Sequence, residues 1–235
     1  MKFPILNIDS KATRLAIFIA LEFFGVLLGI AFGIALIAIS RVSTDSLNGI
    51  RISQICNQLF IFVLPPLFYA ALTRPHPMKS LGFKKMPVYA LLGILVMFTI
   101  LPFNSYLQSW NEQLSFPESM KALEEILRAL QEQATAITEK MVSVNGIRGL
   151  VVNLIMMAGL AALGEEPLFR AMLQPWLIRI TKSPHIGIII TAIIFSVTHL
   201  EIDGFLSRAV LGMALGYVFF YLFPIQYRLL KMPMR

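Results

Sequence analysis

Between Leu15 and Ile39 the chain runs through an unbroken apolar block in which Glu22 is the only charge. An α-helix needs about 20 such residues to cross the hydrocarbon core of a bilayer, and a small soluble domain has no interior large enough to hide them. The pattern recurs. Ile52–Leu72 and Pro87–Leu107 carry no charge, Gly149–Leu163 runs on through Gly-Glu-Glu-Pro to about Ile180, and His185–Leu200 and Phe205–Phe223 follow. Of the 235 residues 57% are hydrophobic and 14% charged, where a soluble domain carries about 25% charged residues. A disordered chain, a disulfide-stapled secreted domain and an ordinary soluble enzyme are excluded, and the single Cys56 forms no internal disulfide. The expected fold is all-α: one polytopic membrane domain over residues 1–235, with about six transmembrane helices and one amphipathic extramembrane helix. The first block is too long for a signal-peptide core and lacks a small-residue cleavage site, so it reads as a retained span. Pro65-Pro66 is expected to kink or break the second span toward its end.

Loop charge sets the expected orientation. Lys2, Lys11 and Arg14 precede the first block, Arg74, Lys79, Lys84 and Lys85 fill the second loop, Arg179 and Lys182 the fourth, and Arg228, Lys231 and Arg235 the tail. The alternate loops are poorer in net positive charge, and the stretch from Glu112 to Lys140 is net acidic. Positive residues stay on the cytoplasmic side, so both termini are expected there. The net charge of +7 is thereby explained as topology, which leaves no call for a nucleic-acid partner.

In the third loop Met120, Leu123, Leu127, Leu130, Ala134, Ile137 and Met141 recur three and four apart, the stripe of an amphipathic helix over 117–141. Ser115 and Glu118 have capping-box spacing, with Pro117 suited to the first turn. That helix is expected to lie on the outer face of its own protein, with an interfacial gate as the alternative. Gly25, Gly29 and Gly33, and later Gly212 and Gly216, are spaced for close helix packing in lipid.

Ionisable side chains inside spans are costly, so each needs an account. Glu165 and Glu166 stand side by side within the fourth apolar block, and Arg170 follows Glu166 by one helical turn in the favoured acid-first order. Glu165 points about 100° away from that pair and has no partner on its own helix. An unpaired carboxyl in a dry site has the tuning that a general base requires. His199 ends the next span, with Phe195 one turn earlier on its face. The Lys182-Ser183-Pro184 turn makes the two helices antiparallel neighbours, which brings Glu165, Glu166 and His199 to similar depth. Such a cluster activates a water or holds a divalent metal such as zinc, with these three residues as the candidate ligands. A structural polar cluster pinning two helices is the competing account. Glu22 is expected to snorkel to the membrane surface, His76 and His185 are not expected to be ligands, and an outer-end ion pair accounts for Asp203 and Arg208.

Gly-Glu-Glu-Pro-Leu-Phe-Arg resembles the EExxxR motif of the CPBP intramembrane proteases, the family that holds the CAAX prenyl endopeptidases and the bacteriocin-processing and immunity proteins. Phe195-Ser-Val-Thr-His199 resembles their FxxxH motif, and Gly204 through Tyr217 resembles the segment after it, so the likeness covers about Asn153–Phe220. The resemblance implies a helical endopeptidase of a bacterial cytoplasmic membrane, acting on a peptide or protein presented at the membrane. Glu165 would activate water, His199 would hold that water or a metal, and Glu166 and Arg170 would support the site. Members continue into a span carrying HxxxN, whereas no histidine follows His199 in this sequence. The expectation is therefore an incomplete metal ligand set, with absent or very slow hydrolysis if the chain is complete at Arg235, and a truncated or frame-shifted piece of an active peptidase as the alternative. A non-catalytic immunity or chaperone-like member of the same fold, and a small proton-coupled transporter, are the alternative functions.

Overall fold

The structure, a computed structural model, describes residues 10–74, 76–81, 90–113, 116–143 and 146–222. Eight helices carry the described chain: α1 (Lys11–Ser40), α2 (Leu47–Thr73), α3 (Pro77–Ser80), α4 (Ala90–Asn111), α5 (Lys121–Val142), α6 (Ile147–Thr181), α7 (Pro184–Val197) and α8 (Phe205–Leu222). No strand occurs among the described residues. The protein is an all-helical integral membrane protein. Thr13–Ser40, Leu47–Thr73 and Ile147–Thr181 are long and apolar enough to cross a bilayer, whereas α7 and α8 are shorter apolar helices. The span expected from Pro87 begins outside the described residues, and from Ala90 the chain is helical to Asn111. Ser115 of the expected capping box also lies outside them; a 3₁₀ turn at Glu118–Met120 leads into α5.

The helices fall into two compact units. The first lies within residues 1–84 and 137–172, the second within 85–136 and 173–232, so α6 passes from one to the other after Met172.

In the first unit α1 packs on α2 through its glycine row. A Cβ at Gly25 would run into the Phe60 carbonyl and approach the Pro65 ring to 2.9 Å, and one at Gly29 would stand 3.1 Å from Phe60 Cβ. Close backbone approach is what small residues supply where lipid gives no hydrophobic drive. Pro65-Pro66 do not break α2. A π-helical turn over Gln58–Val63 precedes them, in which the Leu64 N–H reaches back to the Leu59 carbonyl. The wider turn absorbs the two missing N–H donors and the ring clashes, and the α-helix resumes with both prolines in its first turn. Glu22 does not reach for the surface with both oxygens: its Oε1 is buried and has no hydrogen-bond partner among the described residues.

In the second unit the end of α6 meets α7 across the Lys182 turn, where Lys182 adopts φ 57° and Ser183 caps α7 at the Ile186 N–H. A Cβ at Gly187 would stand 2.7 Å from the Ile178 nitrogen. α8 packs on α7 through Gly212, against Ala192 and Phe195, and through Gly216, which meets Ile188 of α7 and Gln174 of α6. Gln174 is completely buried and donates to the Gly216 carbonyl at 3.0 Å.

Candidate functional site

The carboxylates sit in the part of α6 that departs most from regular α geometry. Leu154–Gly159 and Pro167–Leu173 are both π-helical, and Glu165 and Glu166 end the α-helical stretch between them. Pro167 lacks the N–H that an α-helix would use there, which favours a rearranged ladder, and π segments of this kind often mark functional sites. Despite the altered winding, Glu166 and Arg170 still meet: Arg170 Nε lies 3.6 Å from Glu166 Oε2. The arginine side chain has no exposed surface and the glutamate retains 34%. A buried guanidinium needs a compensating charge, and Glu166 supplies it.

Glu165 has a partner that its own helix does not provide. Gln58, on the π turn of α2, directs its Nε2 to Glu165 Oε1 at 3.5 Å. Gln58 is itself 6% exposed, and its Oε1 has no partner among the described residues. The approach depends on Gly164, where a Cβ would stand 2.7 Å from Phe62 Cβ and 3.2 Å from Val63 Cγ2. Sequence reasoning missed Gln58. The only signal for it was an amide inside an apolar span, two turns before a proline pair.

His199 and Phe195 belong to the second unit, at the end of α7. His199 Nδ1 lies 2.8 Å from the Phe195 carbonyl, and the two rings meet edge to face at 4.7 Å. A carbonyl only accepts, so Nδ1 carries the hydrogen, and in the neutral ring Nε2 is left with the lone pair. The FxxxH spacing thus has a local purpose, since the residue four earlier supplies both the acceptor and a ring to pack on. Leu200 follows with φ 54°, a left-handed turn held by its N–H to the Val197 carbonyl.

Side chains from α4 and α5 hold the segment after His199. Asn111, 4% exposed, donates to the Ile202 carbonyl at 2.6 Å and accepts from the Leu206 N–H at 3.1 Å. Gln131 accepts from the N–H groups of Ile202 and Asp203 at 2.8 and 3.2 Å. Asp203 and Arg208 find separate partners rather than a shared pair. Asp203 meets Arg128 at 3.6 Å and Arg208 meets Glu201. Beside this segment lies a mostly apolar cavity of about 500 Å³, bounded by Phe116, Met120, Leu127, Val197, Leu200 and Phe205. His185 is engaged by the Tyr217 hydroxyl at 2.8 Å.

Every motif residue therefore lies between the start of α6 and the end of α8. Residues 147–223 match the family model Type II CAAX prenyl endopeptidase Rce1-like. The likeness to that family covers about a third of the chain. The match supports the kinship read from the two motifs, and it stops short of α1–α5. No curated protein and no solved structure matches the chain.

For zinc, at least three protein ligands are required. In the first unit Glu166 faces Arg170 and Glu165 accepts from Gln58, so both carboxyls of the Rce1-like motif already have polar partners. Among the described residues of either unit no group of three or more His, Cys, Asp or Glu side chains is disposed to hold a metal ion. Within the first unit Glu165 and Glu166 alone do not make up a zinc ligand set.

Proposed function

We propose that the chain is an intramembrane endopeptidase in which Glu165 activates the water that attacks a peptide bond. The observation that carries this reading is the unequal partnering of two adjacent carboxylates. Glu166 faces a buried guanidinium, whereas Glu165 meets the uncharged amide of Gln58. An amide donor orients a carboxylate without placing an opposite charge on it. In the proposed step Glu165 takes a proton as the water oxygen bonds to the carbonyl carbon and the carbonyl electrons move to oxygen. The tetrahedral intermediate then collapses, the C–N bond breaks, and Glu165 returns the proton to the departing amine. In the second unit His199 commits Nδ1–H to the Phe195 carbonyl, which leaves Nε2 as the acceptor of its neutral ring. Arg170 acts through Glu166 as a positioning residue. Both termini lie on the cytoplasmic side, in keeping with the loop charges.

The test uses the 235-residue chain in lipid nanodiscs with a fluorescence-quenched peptide ending in a farnesylated CAAX box, alongside its unprenylated counterpart. Cleavage of either peptide that disappears in Glu165→Gln, with thermal unfolding unchanged, supports the reading. Cleavage that survives Glu165→Gln overturns the assignment of the base, and no cleavage of either probe by the unaltered chain counts against a peptidase of this class.

A further inference from the structure

The amphipathic helix α5 presents its faces in an order that a water-surrounded helix would not choose. Its half-buried positions within the second unit are Glu124, Leu127, Arg128, Gln131 and Ala134, so much of its inward face is polar. Gln131 holds the N–H groups of Ile202 and Asp203, and Arg128 bridges Glu124 at 2.8 Å and Asp203 at 3.6 Å. Large aliphatic side chains point the other way: Leu123 is 44% exposed, Ile126 60% and Leu130 40%. The charged row of Lys121, Glu125 and Glu132 is also exposed, roughly 150° around the helix from the aliphatic row at 3.6 residues per turn. The helix thus has one face for protein, one for an apolar medium and one for water.

The preceding helix supplies that apolar medium. The last turns of α4 expose Tyr106 (68%) and Trp110 (47%), the residue types that gather where hydrocarbon meets headgroups. Phe116 and Met120, which precede α5, line the apolar cavity of this unit. α5 begins eleven residues after Trp110 and carries its exposed aliphatic row from Leu123 onward.

We infer that α5 lies in the plane of the membrane interface, with Leu123, Ile126 and Leu130 seated in the lipid and Lys121, Glu125 and Glu132 in water. The occupant of its aliphatic face is the bilayer. Through Gln131 and Arg128 the helix ties the segment after His199 to the membrane surface. The assignment does not depend on the chain being a peptidase.

Spin labels at single cysteines test it, placed by Ile126→Cys, Leu130→Cys, Glu125→Cys and Glu132→Cys in a Cys56→Ala chain. The protein is reconstituted in phosphatidylcholine–phosphatidylglycerol vesicles, and collision with oxygen and with a water-soluble nickel chelate gives the depth of each label. Labels at 126 and 130 are expected about 5–10 Å below the headgroup boundary, with oxygen collisions dominant. Labels at 125 and 132 are expected in water, with nickel collisions dominant. Nickel access at 126 and 130 equal to that at 125 and 132 would mean a solvated helix and overturn the proposal. Exclusion of both reagents at 126 and 130 would mean a protein partner or a second copy on this face, and would overturn it equally.

Discussion

Gln58 reaches from the π turn of α2 to the carboxylate of Glu165 on α6, Nε2 to Oε1 at 3.5 Å. The prolines that follow and the glutamate pair are linked through that turn. Pro65-Pro66 favour the widened winding over Gln58–Val63, and Gly164 lets the turn come close enough for the amide to meet the acid. Gln58→Leu keeps the bulk and removes the donor. Peptide hydrolysis is expected to fall roughly tenfold in kcat, with stability changed by no more than about 1.5 kcal/mol, the net worth of one hydrogen bond. Single-turnover kinetics beside thermal unfolding separates the two effects.

The paired glutamates should differ in what they support. Glu166→Gln leaves the Arg170 guanidinium, with no exposed surface, without its carboxylate. Breaking a fully buried pair costs about 3–5 kcal/mol, and the 34% exposure of Glu166 brings the expectation down to about 2–3 kcal/mol. Glu165→Gln should cost under about 1 kcal/mol, because Gln58 can bond a neutral amide as well. Thermal denaturation of both variants in detergent decides it. Equal losses would mean that the roles are reversed or that the pair shares one proton.

Gly164→Val tests whether close packing of α6 on α2 positions the base. The added Cβ would stand 2.7 Å from Phe62 Cβ, so the helices must separate. Overpacking of this kind costs about 1–3 kcal/mol. Hydrolysis is expected to fall further than in Gln58→Leu, because Glu165 moves as well as losing its donor. Activity equal to the unaltered chain would show that the contact does not matter.

Asn111→Leu removes both hydrogen bonds that α4 makes to the segment after His199. The orphaned Ile202 carbonyl and Leu206 N–H are expected to cost about 1–3 kcal/mol. Hydrogen exchange should rise over residues 200–206 and stay unchanged in α1 and α2. Exchange spread evenly over the chain would mean global destabilisation instead.

Local chemistry made much of this protein legible from residue order alone. Helices follow from uninterrupted apolar runs, and the runs at Leu15–Ile39 and Ile52–Leu72 lie inside α1 and α2 because a chain in lipid must satisfy its backbone within each segment. Glu166–Arg170 was readable because its partners lie one turn apart on one helix. So was the Phe195–His199 contact, for the same reason. Gln58–Glu165 and Gln174–Gly216 were not, since each joins residues from different helices, and no local period records which helix packs beside which. The winding of α2 at its prolines was decided in the same way. Sequence marks the missing donors, but whether a helix breaks or widens depends on what packs against it, here the glycine row of α1. In α5 the periodicity announced an amphipathic helix without recording which polar residues turn inward. Tertiary structure decided that for Gln131 and Arg128, because the loop at Ile202–Asp203 offers N–H groups and a carboxylate that polar side chains satisfy.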